Sequence, residues 1–92
     1  MSVQKELLFY LKREIKKLRI IFQEVSAKEK GKEVFNLAKS YFEDCLHFYK
    51  QKQFVKAFEL ENYIWGILDS LANLGLLIIP NEIKKWFKVE QK

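Results

Sequence analysis

The strongest constraint on this chain is the stretch from Ala38 to Leu76, AKSYFEDCLHFYKQKQFVKAFELENYIWGILDSLANLGL, in which two apolar-periodic runs meet at the polar link Lys50-Gln51-Lys52-Gln53. At the α-helical angle of about 100° per residue, Val34, Leu37, Ala38, Tyr41, Phe42, Cys45, Leu46, Phe48 and Tyr49 cover nearly half the circumference of the first run. Asn36, Lys39, Ser40, Glu43, His47 and Lys50 take the other side. So wide an arc predicts a helix in contact with two neighbours. On the second run Phe54, Ala57, Phe58, Leu60, Ile64, Trp65, Leu68, Leu71 and Ala72 form a similar arc, with Glu61 at its centre. The short link folds the runs into a helical hairpin. A carboxylate in the middle of the second arc needs a physical explanation.

Around the hairpin the pattern predicts one domain over residues 1–92: an all-α, antiparallel three-helix bundle with a short C-terminal fourth helix. A chain of 92 residues buries only about 60–65% of its unfolded surface, so the core must be fully used, and eight Phe, four Tyr and two Trp supply the bulk. Helix 1 spans about 3–25, with Leu8, Leu11, Ile15, Leu18 and Phe22 repeating at threes and fours and Ser2 placed to cap it. Ser26-Ala27-Lys28-Glu29 has the form of a capping box and Gly31 of a competing break, which places the start of helix 2 at about 30 and its end at about 51. Helix 3, about 53–75, stops at Asn73-Leu74-Gly75-Leu76, a glycine followed by an apolar residue that folds back on the last turn. Leu76 to Ile79 reads as an extended strap, and Pro80 starts a short helix over about 81–88 that carries Ile83, Trp86 and Phe87.

The net charge of +5 is uneven. Residues 1–39 hold ten Lys or Arg against five Glu, residues 40–79 three against five acids, and residues 80–92 four against two, so basic flanks surround an acidic hairpin. On helix 1 Lys5, Lys12, Lys16 and Arg19 form a stripe beside Phe9 and Ile20; with Lys84, Lys85 and Lys88 of the tail they are the candidate nucleic-acid face. The alternative is a solvated face, interrupted by Glu6, Glu14 and Glu24, with the tail covering Phe9 and Ile20. A single cysteine precludes an internal disulfide and fits a reducing, cytoplasmic setting. No signal pattern opens the chain, and the longest purely apolar run, Leu76 to Ile79, is too short for a bilayer, so no membrane role is expected.

Cys-x-x-Cys pairs, glycine-rich phosphate loops and His-Glu-x-x-His are absent, and one His with one Cys builds no nitrogen-and-sulfur metal site; no cofactor or metal is expected. His47 reads as a lone surface histidine, and Cys45, inside the apolar arc, as a small hydrophobe. The polar group of most interest is Asp44, at the edge of the first arc, with Glu61 and Asp69, flanked by Asn62, Gly66 and Asn73. One reading is a small-ligand or metal pocket built from Asp44, Glu61 and Asp69, or a general acid raised by burial, with Gly66 admitting a close approach. The other is structural: these carboxylates accept hydrogen bonds from tyrosines, Trp65 or a helix terminus. Phe9, Ile20, Leu77, Ile79, Trp86 and Phe87 are the candidate interface of a homodimer or protein partner, unless the tail packs on its own core.

Ala38, Tyr41-Phe42-Glu43-Asp44, Phe48, Ala57-Phe58-Glu59, Tyr63, Gly66, Leu68-Asp69 and Leu74-Gly75-Leu76 together resemble the domain of unknown function 357 family of small archaeal helical proteins. That resemblance implies a compact antiparallel helical bundle in an archaeal cytoplasm and supplies no activity; Asp44 and Asp69 fall on its motif positions. Two departures are visible. The link reads Lys52-Gln53-Phe54 where the family has a pattern like Lys-Gly-Asp-Tyr, and Trp65 stands where the family tends to a small residue. The link with Ala57-Phe58 is also similar to a single tetratricopeptide hairpin, without a second copy at that repeat's period of about 34 residues. Three functions follow as expectations: a non-enzymatic interaction or scaffold module first, RNA or DNA binding second, and the acidic pocket third.

Overall fold

The computed structural model describes residues 2–87. Its elements in order are helix α1 (Val3–Glu24), strand β1 (Ser26–Ala27), a 3-10 turn (Glu29–Gly31), helices α2 (Lys32–Lys50) and α3 (Phe54–Asn73), strand β2 (Leu77–Ile78) and a short 3-10 helix (Asn81–Trp86). The fold is an all-α bundle of three long helices and a short fourth one. The fourth is 3-10 rather than α and ends before the expected boundary; Lys88 lies outside the described residues.

Local chemistry sets the helix ends. The Ser2 hydroxyl accepts the Lys5 amide at 3.2 Å, the expected N-cap. At the end of α3 Gly75 takes φ +72°, the Leu76 amide donates to the Leu71 carbonyl at 3.0 Å and the Gly75 amide to Ala72, which is a Schellman stop. The α2–α3 link closes the same way without glycine: Lys52 sits at φ 61°, its amide donates to Tyr49 and the Gln53 amide to Phe48. The missing glycine therefore leaves the turn intact and places its strain on a lysine.

The capping box does not form. Ser26 pairs opposite Ile78 and Ala27 opposite Leu77 in a two-stranded antiparallel ladder, so Ser26 is drawn into backbone pairing instead of capping α2. The ladder joins the chain just after α1 to the chain just after α3, so these two helices run the same way and α2 runs against both. Close packing seals this end: a side chain on Gly31 would meet the Leu76 Cβ at 3.1 Å.

Leu11, Ile15, Leu18 and Ile21 of α1 meet Phe35, Ala38, Phe42 and Cys45 of α2 and Ala57, Ile64, Leu68 and Leu71 of α3 in one core. Burying each large aliphatic side chain contributes about 1.5–3 kcal/mol. Small residues bring α2 and α3 close: the Cys45 thiol donates to the Ala57 carbonyl at 3.3 Å. The α2 arc is rotated from the expected one. Phe35 is buried against Phe22, ring centroids 5.4 Å apart, while Val34 and Leu37 are 43% and 45% exposed.

Candidate functional site

Glu61 is completely buried, held there by a helix whose residues before and after it on the same face, Ala57, Ile64 and Leu68, are core. Burial raises its pKa from the ordinary 4.5 to about 7; Glu14 adds to the rise, while Tyr10, Arg13 and Lys17 act against it. Neither Glu61 oxygen makes a hydrogen bond of proper geometry, although the Tyr10 phenol stands near enough to act on it. The phenol itself is pushed up to about 12 by burial and by the Glu61 carboxylate.

The groups that act on Glu61 from α1 line a hollow of about 280 Å³ between α1, α3 and the C-terminal 3-10 helix. From α1 come Tyr10, Arg13, Glu14 and Lys17, spaced to share one helix face. From α3 come Asn62, Trp65 and Asp69, and from the tail Trp86. Glu14 is 6% exposed and holds two cations, Arg13 Nε at 3.1 Å and Lys17 Nζ at 3.5 Å. Those cations also cover aromatic faces, Arg13 over Tyr10 at 5.1 Å and Lys17 over Trp86 at 5.9 Å. Trp65 packs edge-on against Phe87, yet its indole Nε1 is buried with no hydrogen-bond partner. Among the described residues the buried side-chain atoms without partners are Glu61 Oε1 and Oε2 and Trp65 Nε1; Trp65 lines the hollow, and Glu61, one turn earlier on α3, stands behind it, next to Tyr10.

Of the expected pocket residues, Asn62 and Asp69 line the hollow, and Glu61 lies buried behind it, next to Tyr10. Asp44 is exposed on α2 and does not line the hollow, and Asn73 is exposed one turn further on, its amide donating to the Asp69 carbonyl at 2.8 Å. Gly66 faces open space, with nothing within 4 Å of an added Cβ, so it does not admit a neighbouring segment of this chain. Among the described residues no group of three His, Cys, Asp or Glu is placed to hold a metal ion.

Tyr10, Arg13, Glu14 and Lys17 were not singled out by sequence as pocket residues. Glu14 was legible: on the wheel of α1 it falls between Ile21 and Leu7, inside the apolar arc. Cys45 is buried and its thiol pushed up to about 11 by burial, with Glu61 adding to it, as expected of an inert packing residue.

The remaining candidates separate. Lys5, Lys12, Lys16 and Arg19 are exposed along α1, whereas Lys84 and Lys85 border a different hollow, of about 770 Å³, beside Lys28 and β2. Of the candidate interface, Leu77 and Phe87 are buried in the chain's own core, and Ile20, Ile79 and Trp86 pack against it. Phe9 alone of that set stands out, 69% exposed. The tail is thus used internally. No helix among the described residues is long and apolar enough to cross a membrane.

Residues 8–77 match the model of the family described as "Protein of unknown function (DUF357)". The chain belongs to this family. The DUF357 match runs from α1 into β2, so it contains every pocket residue except Trp86. No curated protein and no solved structure matches the chain.

Proposed function

We propose that this DUF357 protein is a non-enzymatic binding module whose ligand is a small polar molecule taken into the hollow between α1, α3 and the C-terminal 3-10 helix. One observation carries the reading: of the buried polar atoms without partners, Trp65 Nε1 belongs to a residue lining this hollow of aromatic and charged side chains, and the Glu61 oxygens lie one turn earlier on α3, beside the hollow's Tyr10 wall. Buried polar groups are normally paired, and leaving a buried donor or acceptor without a partner costs about 1–3 kcal/mol, so a cluster of them is matched by a ligand more economically than by water-free packing. Three larger hollows lack this feature: those beside β2, beside Val3, Phe54 and Val55, and beside Ile15, Leu46 and His47 include neither Trp65 nor the Tyr10 that stands against Glu61. The test is a screen of small cationic, neutral and anionic compounds by amide and indole N–H shifts. Binders should move the Trp65 indole and the amides of Tyr10 to Lys17; shifts confined to other surfaces, or none, would refute the reading.

A second reading has its own support. Lys5, Lys12, Lys16 and Arg19 are exposed on one side of α1 and take part in none of the ion pairs of the described residues, which leaves them available to phosphates. RNA affinity that falls steeply with salt and with charge reversal at these positions supports it; affinity indifferent to salt removes it. A protein partner on this side would use Phe9 rather than the tail. A buried free cysteine is in keeping with a reducing cytoplasm.

A further inference from the structure

The hollow's charges are unequally matched. Arg13 and Lys17, the two cations at its wall, both reach Glu14, at 3.1 and 3.5 Å. Glu61, deeper and fully buried, has no ion-pair partner, and apart from the nearby Tyr10 phenol, whose contact falls short of proper hydrogen-bond geometry, nothing donates to it. Tyr10, Trp65 and Trp86 line the hollow, aromatic rings whose faces favour positive charge, and the indole N–H of Trp65 needs an acceptor.

Resting on the binding-module reading, we propose that the ligand is a small organic cation of the amidine, guanidine or primary-amine class, with its N–H groups on the Glu61 carboxylate and an acceptor atom, where it has one, on Trp65 Nε1. A planar amidinium offers two parallel N–H donors and so satisfies both Glu61 oxygens at once. An anion would add a further negative charge beside Glu61, Glu14 and Asp69. A neutral ligand would leave the carboxylate's charge unmatched, which is the costlier half of the deficit. The hollow, at about 280 Å³, admits a molecule the size of a substituted benzene ring. Tyr10, half-buried and capped by Arg13, is the side chain such a ligand turns aside to reach Glu61.

Binding is coupled to a proton. Glu61 faces Tyr10, Arg13, Glu14 and Lys17 from α1 and Cys45 from α2. Of these, Tyr10 and Cys45 are neutral below pH 9, and the cations are committed to Glu14. A cation seated on Glu61 favours the carboxylate, so below pH 7 its arrival expels the proton from Glu61 into solvent, and above pH 8 no proton is released.

The experiment is calorimetric titration of the full chain with benzamidine, its neutral isostere benzamide and the anion benzoate. At pH 8 benzamidine should bind at least tenfold more tightly than either, and Glu61→Gln should weaken it at least tenfold. Titrations of the wild-type chain at pH 6 in two buffers of different ionisation heat should show a proton released with benzamidine, a readout that needs no variant to fold. Benzamide or benzoate binding as well as benzamidine, with the Trp65 indole shifted, would overturn the cation class while leaving the pocket standing. No binding of any probe at millimolar concentration would overturn both the class and the pocket. Benzamidine binding without proton release at pH 6, or undiminished in Glu61→Gln, would place it elsewhere and overturn the assignment.

Discussion

Replacing Glu61 by Gln should make this protein more stable at neutral pH and abolish one component of its pH dependence. The carboxyl titrates at its ordinary 4.5 when the chain is unfolded and at about 7 when folded. Below pH 4.5 both states hold the proton and nothing is lost. Between 4.5 and about 7 only the folded state holds it, so stability falls as pH rises, by about 1.4 kcal/mol per pH unit. Above about 7 both states are ionised and the loss is complete, at roughly 3 kcal/mol. For a domain of this size that corresponds to roughly 12–24 °C in Tm. Gln is nearly isosteric and does not titrate. Thermal melts of both proteins should therefore be taken from pH 4 to pH 8 and subtracted, which cancels every other carboxylate. The difference, Glu61→Gln minus wild type, should climb by several degrees or more across that range and level off above pH 7.5. A difference that stays flat would show that Glu61 is solvated or paired, and the account of the pocket would fall with it.

Other outcomes follow from backbone and packing. Gly66→Ala should stabilise by about 1 kcal/mol in chemical denaturation, because the position is an exposed helix interior with open space around the added methyl. Gly31→Ala should destabilise by about 1–3 kcal/mol, since its methyl meets Leu76 Cβ at 3.1 Å and the Leu76 carbonyl at 3.4 Å. Lys52→Gly should stabilise by about 0.5–1 kcal/mol by relieving the left-handed conformation of the link, and a loss of stability there would mean that the lysine side chain holds the turn. Cys45 should resist alkylation in the folded protein at pH 8 and react only on unfolding, given its burial and its thiol at about 11.

The three helices were legible because each carries a long run of one period, and their ends because Ser2 and Gly75 carry cap chemistry that acts over a few residues. Glu61 was legible for the same reason: a charge at the centre of an apolar arc has nowhere to go but inside. Edge positions were not. Asp44 lies at the margin of the α2 arc, and which side of the margin is covered depends on α1, where Phe22 packs on Phe35 and Phe42 and turns the buried face away from Val34 and Leu37. The hollow needs α1, α3 and the tail together, so no single helix wheel shows it. Strands β1 and β2 have two residues each, too short for a period to exist, and their pairing is what cancelled the capping box at Ser26. The tail's apolar residues looked like an interface because their place in the core depends on Leu77 being pinned by that pairing.

The most direct test is to follow the Glu61 side-chain carboxyl carbon by NMR through a pH titration of the folded protein. An inflection near pH 7, shared by the Tyr10 ring and the Trp65 indole N–H, is the result expected of a buried, unpaired carboxyl at the pocket. An inflection near 4.5, with Tyr10 and Trp65 unmoved, would contradict it.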